Sequence, residues 1–137
     1  MSEFTLVEGL AQKDFIIDLK LSKVLMEKKK GFPWIFLVPQ KSNITQMNQL
    51  SREDQIQLMD EITLASNIME KLFPCDRINV AAIGNMTPQL HVHVICRTKN
   101  DTYWPDICWN KPMEDLSQNE REEMIKKIRT EFEKRLK

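Results

Sequence analysis

The 137-residue chain has little of what defines several common protein classes. It has three cysteines and no CxxC motif, which indicates neither a disulfide framework nor the commonest structural zinc site. Lys+Arg and Asp+Glu balance at twenty each, so there is no general attraction to nucleic acid or an anionic membrane. No apolar run approaches the roughly 18 residues of a membrane span, and the N-terminus lacks the apolar core of a signal peptide. We therefore expect a cytoplasmic protein that binds neither nucleic acid nor a membrane.

The chain length favours one folded domain over residues 1–137. Apolar residues make up 42% and charged residues 29%, which is typical of a soluble globular protein. The sequence shows no internal repeat, low-complexity segment or linker.

Five segments have the composition of β-strands and two have the periodicity of helices. The predicted strands are residues 15–19, 22–26, 33–39, 78–83 and 89–96. Ser51 caps the first helix, which Pro74 ends, and a capping box at residues 117–120 opens the second. The apolar positions of the helices are Leu58, Ile62, Ala65, Met69 and Leu72, then Ile125, Ile128, Phe132 and Leu136. Strands and helices in separate runs predict an α+β domain with an antiparallel sheet.

Both histidines of the chain lie two residues apart in the last predicted strand. Because side chains alternate along a strand, Gln89, His91 and His93 should share one face. The apolar residues between and after them should point to the core; they are Leu90, Val92 and Val94. The turn at residues 84–87 can present backbone N–H groups as an anion-binding nest.

Two histidines on one strand face can divide the work of phosphoryl chemistry. A neutral imidazole attacks phosphorus when its other nitrogen donates to a backbone carbonyl, and a protonated neighbour can stabilise a phosphate oxygen or protonate a leaving group. The chemistry alone leaves two other interpretations open. The pair can be half-exposed histidines with no role, or it can hold zinc or iron with a third ligand. Cys96 should face the other side of the strand, which leaves a Glu or Asp from elsewhere as that ligand.

The histidine segment resembles the signature of the histidine-triad (HIT) family of nucleotide hydrolases and transferases, His-φ-His-φ-His-φ-φ with φ apolar. Here it is Gln-Leu-His-Val-His-Val-Ile at residues 89–95, followed by Arg97. The segment IFLVPQK at residues 35–41 resembles the family's LVIPK strand. The resemblance covers about residues 15–97. Within residues 98–137, the Trp-Pro tail from Asn100 on resembles a bacterial branch whose members often read PQLHVHV.

This resemblance implies an HIT-like antiparallel sheet of about five strands with two main helices, usually paired as a homodimer. It also implies cleavage at the α-phosphate of a nucleotide ester, anhydride or amidate, such as a diadenosine polyphosphate or a phosphoramidate, through a nucleotidyl-histidine. By motif position His91 is the nucleophile, His93 contacts phosphate oxygens and Gln89 supports their geometry. No cofactor is required, although Mg²⁺ can accompany the phosphates of the substrate.

The resemblance further places substrate-binding residues around the histidines. Asn85 and Thr87 fall in the phosphate-loop region, and Asn79 corresponds to an upstream polar residue near phosphate. Glu27 is the acidic residue available near the position that grips ribose in many members.

The chain departs from the family pattern at two positions. Gln89 replaces the first histidine of the triad, and its amide can donate and accept but cannot titrate. Trp34 occupies a position at which some members have a further histidine. The alternative to an enzyme is therefore a nucleotide-binding module with little or no turnover.

We also expect a homodimer formed by the helix at residues 51–73 and the neighbouring sheet edge. Apolar or small residues widen the helix face beyond what one sheet would cover; they are Ile56, Met59, Ala65 and Ile68. The resembling family commonly dimerises through this helix and strand.

Overall fold

The computed structural model describes residues 4–137 as a five-stranded antiparallel sheet with the two long helices on one face. The elements in chain order are α1 Glu8–Ala11, β1 Asp14–Asp18, β2 Ser22–Met26, β3 Trp34–Pro39, a 3₁₀ turn Met47–Gln49, α2 Arg52–Leu72, β4 Arg77–Ala81, β5 Val92–Arg97 and α3 Gln118–Arg135. The spatial strand order is β1-β2-β3-β5-β4. The predicted α+β fold with two main helices is confirmed.

The two long helices begin where the sequence predicts. The Ser51 hydroxyl accepts a hydrogen bond from the backbone N–H of Asp54 at 3.1 Å. Ser117 and Glu120 form the complete reciprocal box, which satisfies two backbone N–H groups that the helix leaves unpaired. Between residues 4 and 137, each helix is too short or too polar to cross a membrane.

The last two strands are shorter than the sequence indicates. β4 ends at Ala81 rather than at residue 83, and β5 begins at Val92 rather than at residue 89. β5 starts late because the backbone N–H of Leu90 bonds to the carbonyl of Ile44, outside the sheet ladder. The apolar alternation therefore begins before the sheet ladder does, and neither Gln89 nor His91 lies within β5.

Both faces of the sheet are covered, by different parts of the chain. The face that packs on α2 and α3 carries Leu90, Val92 and Val94, as predicted. The opposite face is covered by the N-terminal segment and by residues 98–115 after β5. Its buried residues form a second apolar cluster: Leu10, Leu25, Phe32, Trp34, Phe36, Val38, Ile95 and Cys108. The histidines lie on this second face, beneath the two covering segments.

The surface of α2 differs in part from the predicted wide apolar face. Ile56 and Met59 are 54% and 60% exposed, as a docking surface requires. The prediction is wrong for Ala65 and Ile68, which are fully buried, because they belong to the helical stripe that packs on the sheet. Leu136, predicted on the apolar face of α3, is also exposed, since the helix ends one residue earlier.

Candidate active site

His91 is fixed by its own backbone in the form that a nucleophile needs. Its Nδ1 lies 2.7 Å from the carbonyl oxygen of Gln89. Since a carbonyl oxygen only accepts, the hydrogen lies on Nδ1, and the lone pair is on Nε2. The side chain is buried beside the start of β5, so the ring has little freedom to turn.

His93 is held by a side chain on the neighbouring strand. Trp34 donates its indole N–H to Nδ1 of His93 at 3.0 Å, which leaves the hydrogen of the neutral ring on Nε2. Burial, together with the nearby charges of His91 and Lys13, lowers the pKa of His93 to about 3. His93 therefore offers a neutral N–H donor in this structure, not the protonated group that the sequence also allowed.

Aromatic rings enclose His93 on several sides. The centroids of the rings of Phe36 and His91 each lie 5.0 Å from its own, and Trp109 and Trp34 lie at 5.2 and 5.6 Å. Trp109 comes from the covering segment at residues 98–115, and sequence analysis gave it no role. Its indole Nε1 is buried and has no hydrogen-bond partner among residues 4–137.

His91 borders two cavities. The larger, about 740 Å³, lies between the loops at residues 45–48 and 82–85 and includes Asn85. The smaller, about 350 Å³, contains both histidines, and we call it the histidine cavity. Its other lining residues include Lys13, Glu27, Trp34, Phe36, Thr87, Trp109 and Lys111. Because the chemistry belongs to the histidine pair, the smaller cavity is the better candidate for the reacting phosphate.

The structure brings some of the predicted site residues to the histidines and leaves others apart. Thr87 and Glu27 line the histidine cavity, and Asn85 lines the larger one. Asn79 lines neither, since its side-chain oxygen accepts from the buried Arg97 at 3.2 Å. Gln89 also lines neither: its amide accepts from Val7 N–H at 3.0 Å and donates to the Thr5 carbonyl at 2.8 Å.

Arg97, which follows the motif, anchors the segment that carries Trp109. Its guanidinium makes a bidentate pair with Asp101 at 2.7 and 3.0 Å and donates to the Asp106 carbonyl at 2.9 Å. Both side chains of the Arg97–Asp101 pair are almost fully buried, and the guanidinium lies over the ring of Phe32. The arginine thus fixes the covering segment against the histidine face.

A metal site at the histidine pair would need a third protein ligand. Over residues 4–137, no group of three His, Cys, Asp or Glu side chains is placed to hold a metal ion. Cys96 lies on the opposite face of β5 and packs in the core beneath the helices.

Comparison with known proteins agrees with this geometry. A family model described as the HIT domain matches residues 8–100, and a search of curated proteins found no match. The histidine triad protein blr8122 from Bradyrhizobium japonicum is 35% identical, with a TM-score of 0.91 over 95% of this chain and 98% of that one. A histidine triad protein from Marinobacter aquaeolei VT8 is 34% identical, with a TM-score of 0.91 over 97% and 98%. The match over most of the chain, together with the imidazoles paired at the start of β5, shows that this protein belongs to the histidine triad family.

Proposed function

We propose that the protein is a nucleotidyl hydrolase or transferase in which His91 attacks the α-phosphate of a nucleotide. The single observation that carries the proposal is the 2.7 Å contact between Nδ1 of His91 and the Gln89 carbonyl. This contact directs the free lone pair to Nε2, the atom that a nucleotidyl-histidine requires. Membership of a family of nucleotide-binding hydrolases and transferases supports the same reaction class.

In the proposed first step, Nε2 of His91 forms a bond to phosphorus while the phosphorus–oxygen or phosphorus–nitrogen bond to the leaving group breaks. The leaving group keeps that electron pair and takes a proton from solvent. Water, or another acceptor hydroxyl, then attacks phosphorus and loses its proton to solvent. The bond between phosphorus and Nε2 of His91 then breaks, its electron pair returns to Nε2, and the nucleotide is released. Throughout, the Nε2–H of His93 can donate to a non-bridging phosphate oxygen.

Neighbouring residues have proposed roles in holding the substrate. Thr87 would donate to phosphate oxygens in the histidine cavity, and Glu27 would accept from ribose hydroxyls there. Asn85 would donate to phosphate oxygens from the larger cavity, on the other side of His91. The covalent attack requires no metal, and Mg²⁺ would act only by accompanying the substrate phosphates. Asn79 keeps only an indirect proposed role through Arg97, its hydrogen-bond partner.

The test is turnover of an adenosine phosphoramidate and of diadenosine polyphosphates by wild type and His91→Ala. We expect at least about a thousandfold loss of rate in the variant, on the scale of other nucleophile deletions. Rapid quenching with labelled nucleotide should trap the label on His91. Equal rates for the two proteins would contradict the proposal.

A nucleotide-binding module with little turnover is the second candidate. The observation that favours it is the Gln89 amide, which bonds to the backbone of the N-terminal segment and not to either histidine. Such a module would gain thermal stability with adenosine monophosphate as RT ln(1 + [L]/Kd). It would form no covalent adduct in the quench experiment.

We also propose a homodimer through α2 and β4. β4 is an edge strand of the sheet within residues 4–137, and Val80 on it is 47% exposed. Ile56 and Met59 on α2 add exposed apolar surface. A self-complementary surface of this kind forms an isologous contact that closes at two copies.

A further inference from the structure

The two histidines leave the charge of a bound phosphate without a cationic partner. His91 must be uncharged to act as a nucleophile. His93 accepts from Trp34 on one nitrogen and is buried, so it contributes a neutral donor. Phosphate groups carry negative charge that increases on the leaving oxygens during transfer, so a nearby cation would stabilise both binding and reaction.

Lys13 places an ammonium group beside the histidines. Its Nζ lies 5.4 Å from the centroid of the Phe36 ring. The same ring lies 5.0 Å from the His93 ring and 6.1 Å from the His91 ring. Phe36 therefore connects the lysine and both imidazoles, and all four side chains line the histidine cavity.

Glu27, the ion-pair partner of Lys13, would keep another hydrogen-bond donor if Lys13 turned to a ligand. Nζ of Lys13 lies 2.9 Å from both carboxylate oxygens of Glu27. Glu27 also accepts from the backbone N–H of Lys28 at 2.9 Å, and that bond does not depend on Lys13. The carboxylate would keep one donor if the ammonium group turned to a ligand.

The other two lysines of the cavity have partners that do not line it. Lys29 pairs with Asp115 at 2.6 Å, and Lys111 pairs with Asp106 at 3.0 Å. Neither carboxylate lines the histidine cavity. Lys13 is thus the lysine whose ion pair lies within the cavity wall.

The histidine motif itself holds the segment that presents Lys13. The Gln89 amide bonds to the backbone of Thr5 and Val7, just before α1. In α1, Gly9 packs on Thr87, since a Cβ at Gly9 would lie 3.4 Å from the Thr87 hydroxyl oxygen. The first motif position therefore fixes the N-terminal segment over the site, with Lys13 at its end.

We propose that Lys13 binds the phosphate oxygens of the substrate in the histidine cavity, and that Gln89 acts as a positioning residue for the segment that carries it. This inference rests on the proposed function. Lys13 replaces its bond to Glu27 with a charge-assisted bond to phosphate, and Glu27 is then available to the ribose.

The first test compares the binding of adenosine monophosphate and adenosine by calorimetry. Lys13→Gln should lower the affinity for the monophosphate about tenfold to a hundredfold, the usual range for a hydrogen bond to a charged group. Adenosine, which has no phosphate, should bind within about twofold of wild type. Lys13→Arg should recover most of the monophosphate affinity. A Lys13→Gln variant that binds the monophosphate as wild type does would overturn the inference.

A second comparison separates direct binding from neutralisation of Glu27. If Lys13 only cancels the charge of Glu27, then Lys13→Gln should have no effect once Glu27→Gln is present. If Lys13 contacts phosphate, the double variant should still bind the monophosphate about tenfold more weakly than Glu27→Gln alone. Equal affinity of those two proteins overturns the inference and leaves the proposed function intact.

Lys23 supplies a matched control. It too pairs with a carboxylate, Asp18 at 2.8 Å, and lies 4.8 Å from a phenylalanine ring centroid, but it does not line the histidine cavity. Lys23→Gln should leave the monophosphate affinity unchanged, and an equal loss there would overturn the inference. A wild-type protein that binds no nucleotide would remove both the inference and the proposed function.

Discussion

The indole N–H of Trp34 donates to Nδ1 of His93 at 3.0 Å, across the neighbouring strands β3 and β5. This bond occupies the nitrogen that would otherwise accept a second proton, and it directs the remaining N–H of His93 away from Trp34. The relationship makes His93 a donor of fixed orientation, because the tautomer of an imidazole follows the bond made by its other nitrogen.

Replacing Trp34 by phenylalanine should leave Nδ1 of the buried His93 without its hydrogen-bond donor. We expect Trp34→Phe to lower the free energy of unfolding by about 1–3 kcal/mol more than Trp109→Phe does. Trp109 is the matched control because its ring also contacts His93, while its indole N–H has no partner within residues 4–137. Urea denaturation of the two variants measures the difference. Equal losses would show that the bond to His93 contributes no net stability.

The buried His93 should make stability fall as the solution becomes acidic. Its pKa is lowered by burial from 6.5 to about 3, so the unfolded chain binds a proton that the folded chain does not. Its contribution is complete above pH 6.5 and is lost as the pH falls toward 3. Between about pH 7 and about pH 4.5, wild type should lose about 2 kcal/mol more than His93→Asn. Denaturation curves at the two pH values give the comparison, and parallel losses would contradict it.

The alternation of side chains on β5 could be predicted from the sequence. A strand has a strict period of two, so Val92 and Val94 had to share one face and His93 the other, with His91 just before the strand on the side of His93. The starts of the two long helices could also be predicted, since Ser51 and Ser117 each cap backbone N–H groups within one turn of the helix. These features depend on near neighbours in the chain, which a single sequence displays.

What could not be predicted depends on which distant segments cover the histidine face. The bonds from Trp34 to His93 and from Lys13 to Glu27 join residues that spacing alone cannot pair. Trp109 comes from a distant segment that the buried Arg97 helps to hold through the Asp106 carbonyl. The orientation of Gln89 could not be predicted either, because Leu90 bonds to Ile44 outside the sheet ladder although the sequence pattern of the strand continues through it.

Restoring the missing triad histidine should not restore a lost activity. In Gln89→His, an imidazole cannot reproduce both amide bonds to Thr5 and Val7, so the N-terminal segment should loosen. We expect faster hydrogen exchange of the Val7 amide and no gain in turnover of an adenosine phosphoramidate. Gln89→Ala serves as the control that removes both bonds without adding an imidazole. A large gain in turnover by Gln89→His alone would instead favour a binding module descended from an enzyme.

A charge at the centre of the exposed surface of α2 should separate the proposed dimer. Met59 is 60% exposed and Ile56 is 54% exposed, so a lysine or glutamate there is solvated in the monomer and unpaired when buried against a second copy. Met59→Lys or Ile56→Glu should shift the mass measured by light scattering from two copies to one at tens of micromolar protein. The fold should persist, because neither side chain belongs to the core. A wild-type monomer at that concentration would refute the dimer, and so would a charge variant that remains dimeric and fully stable.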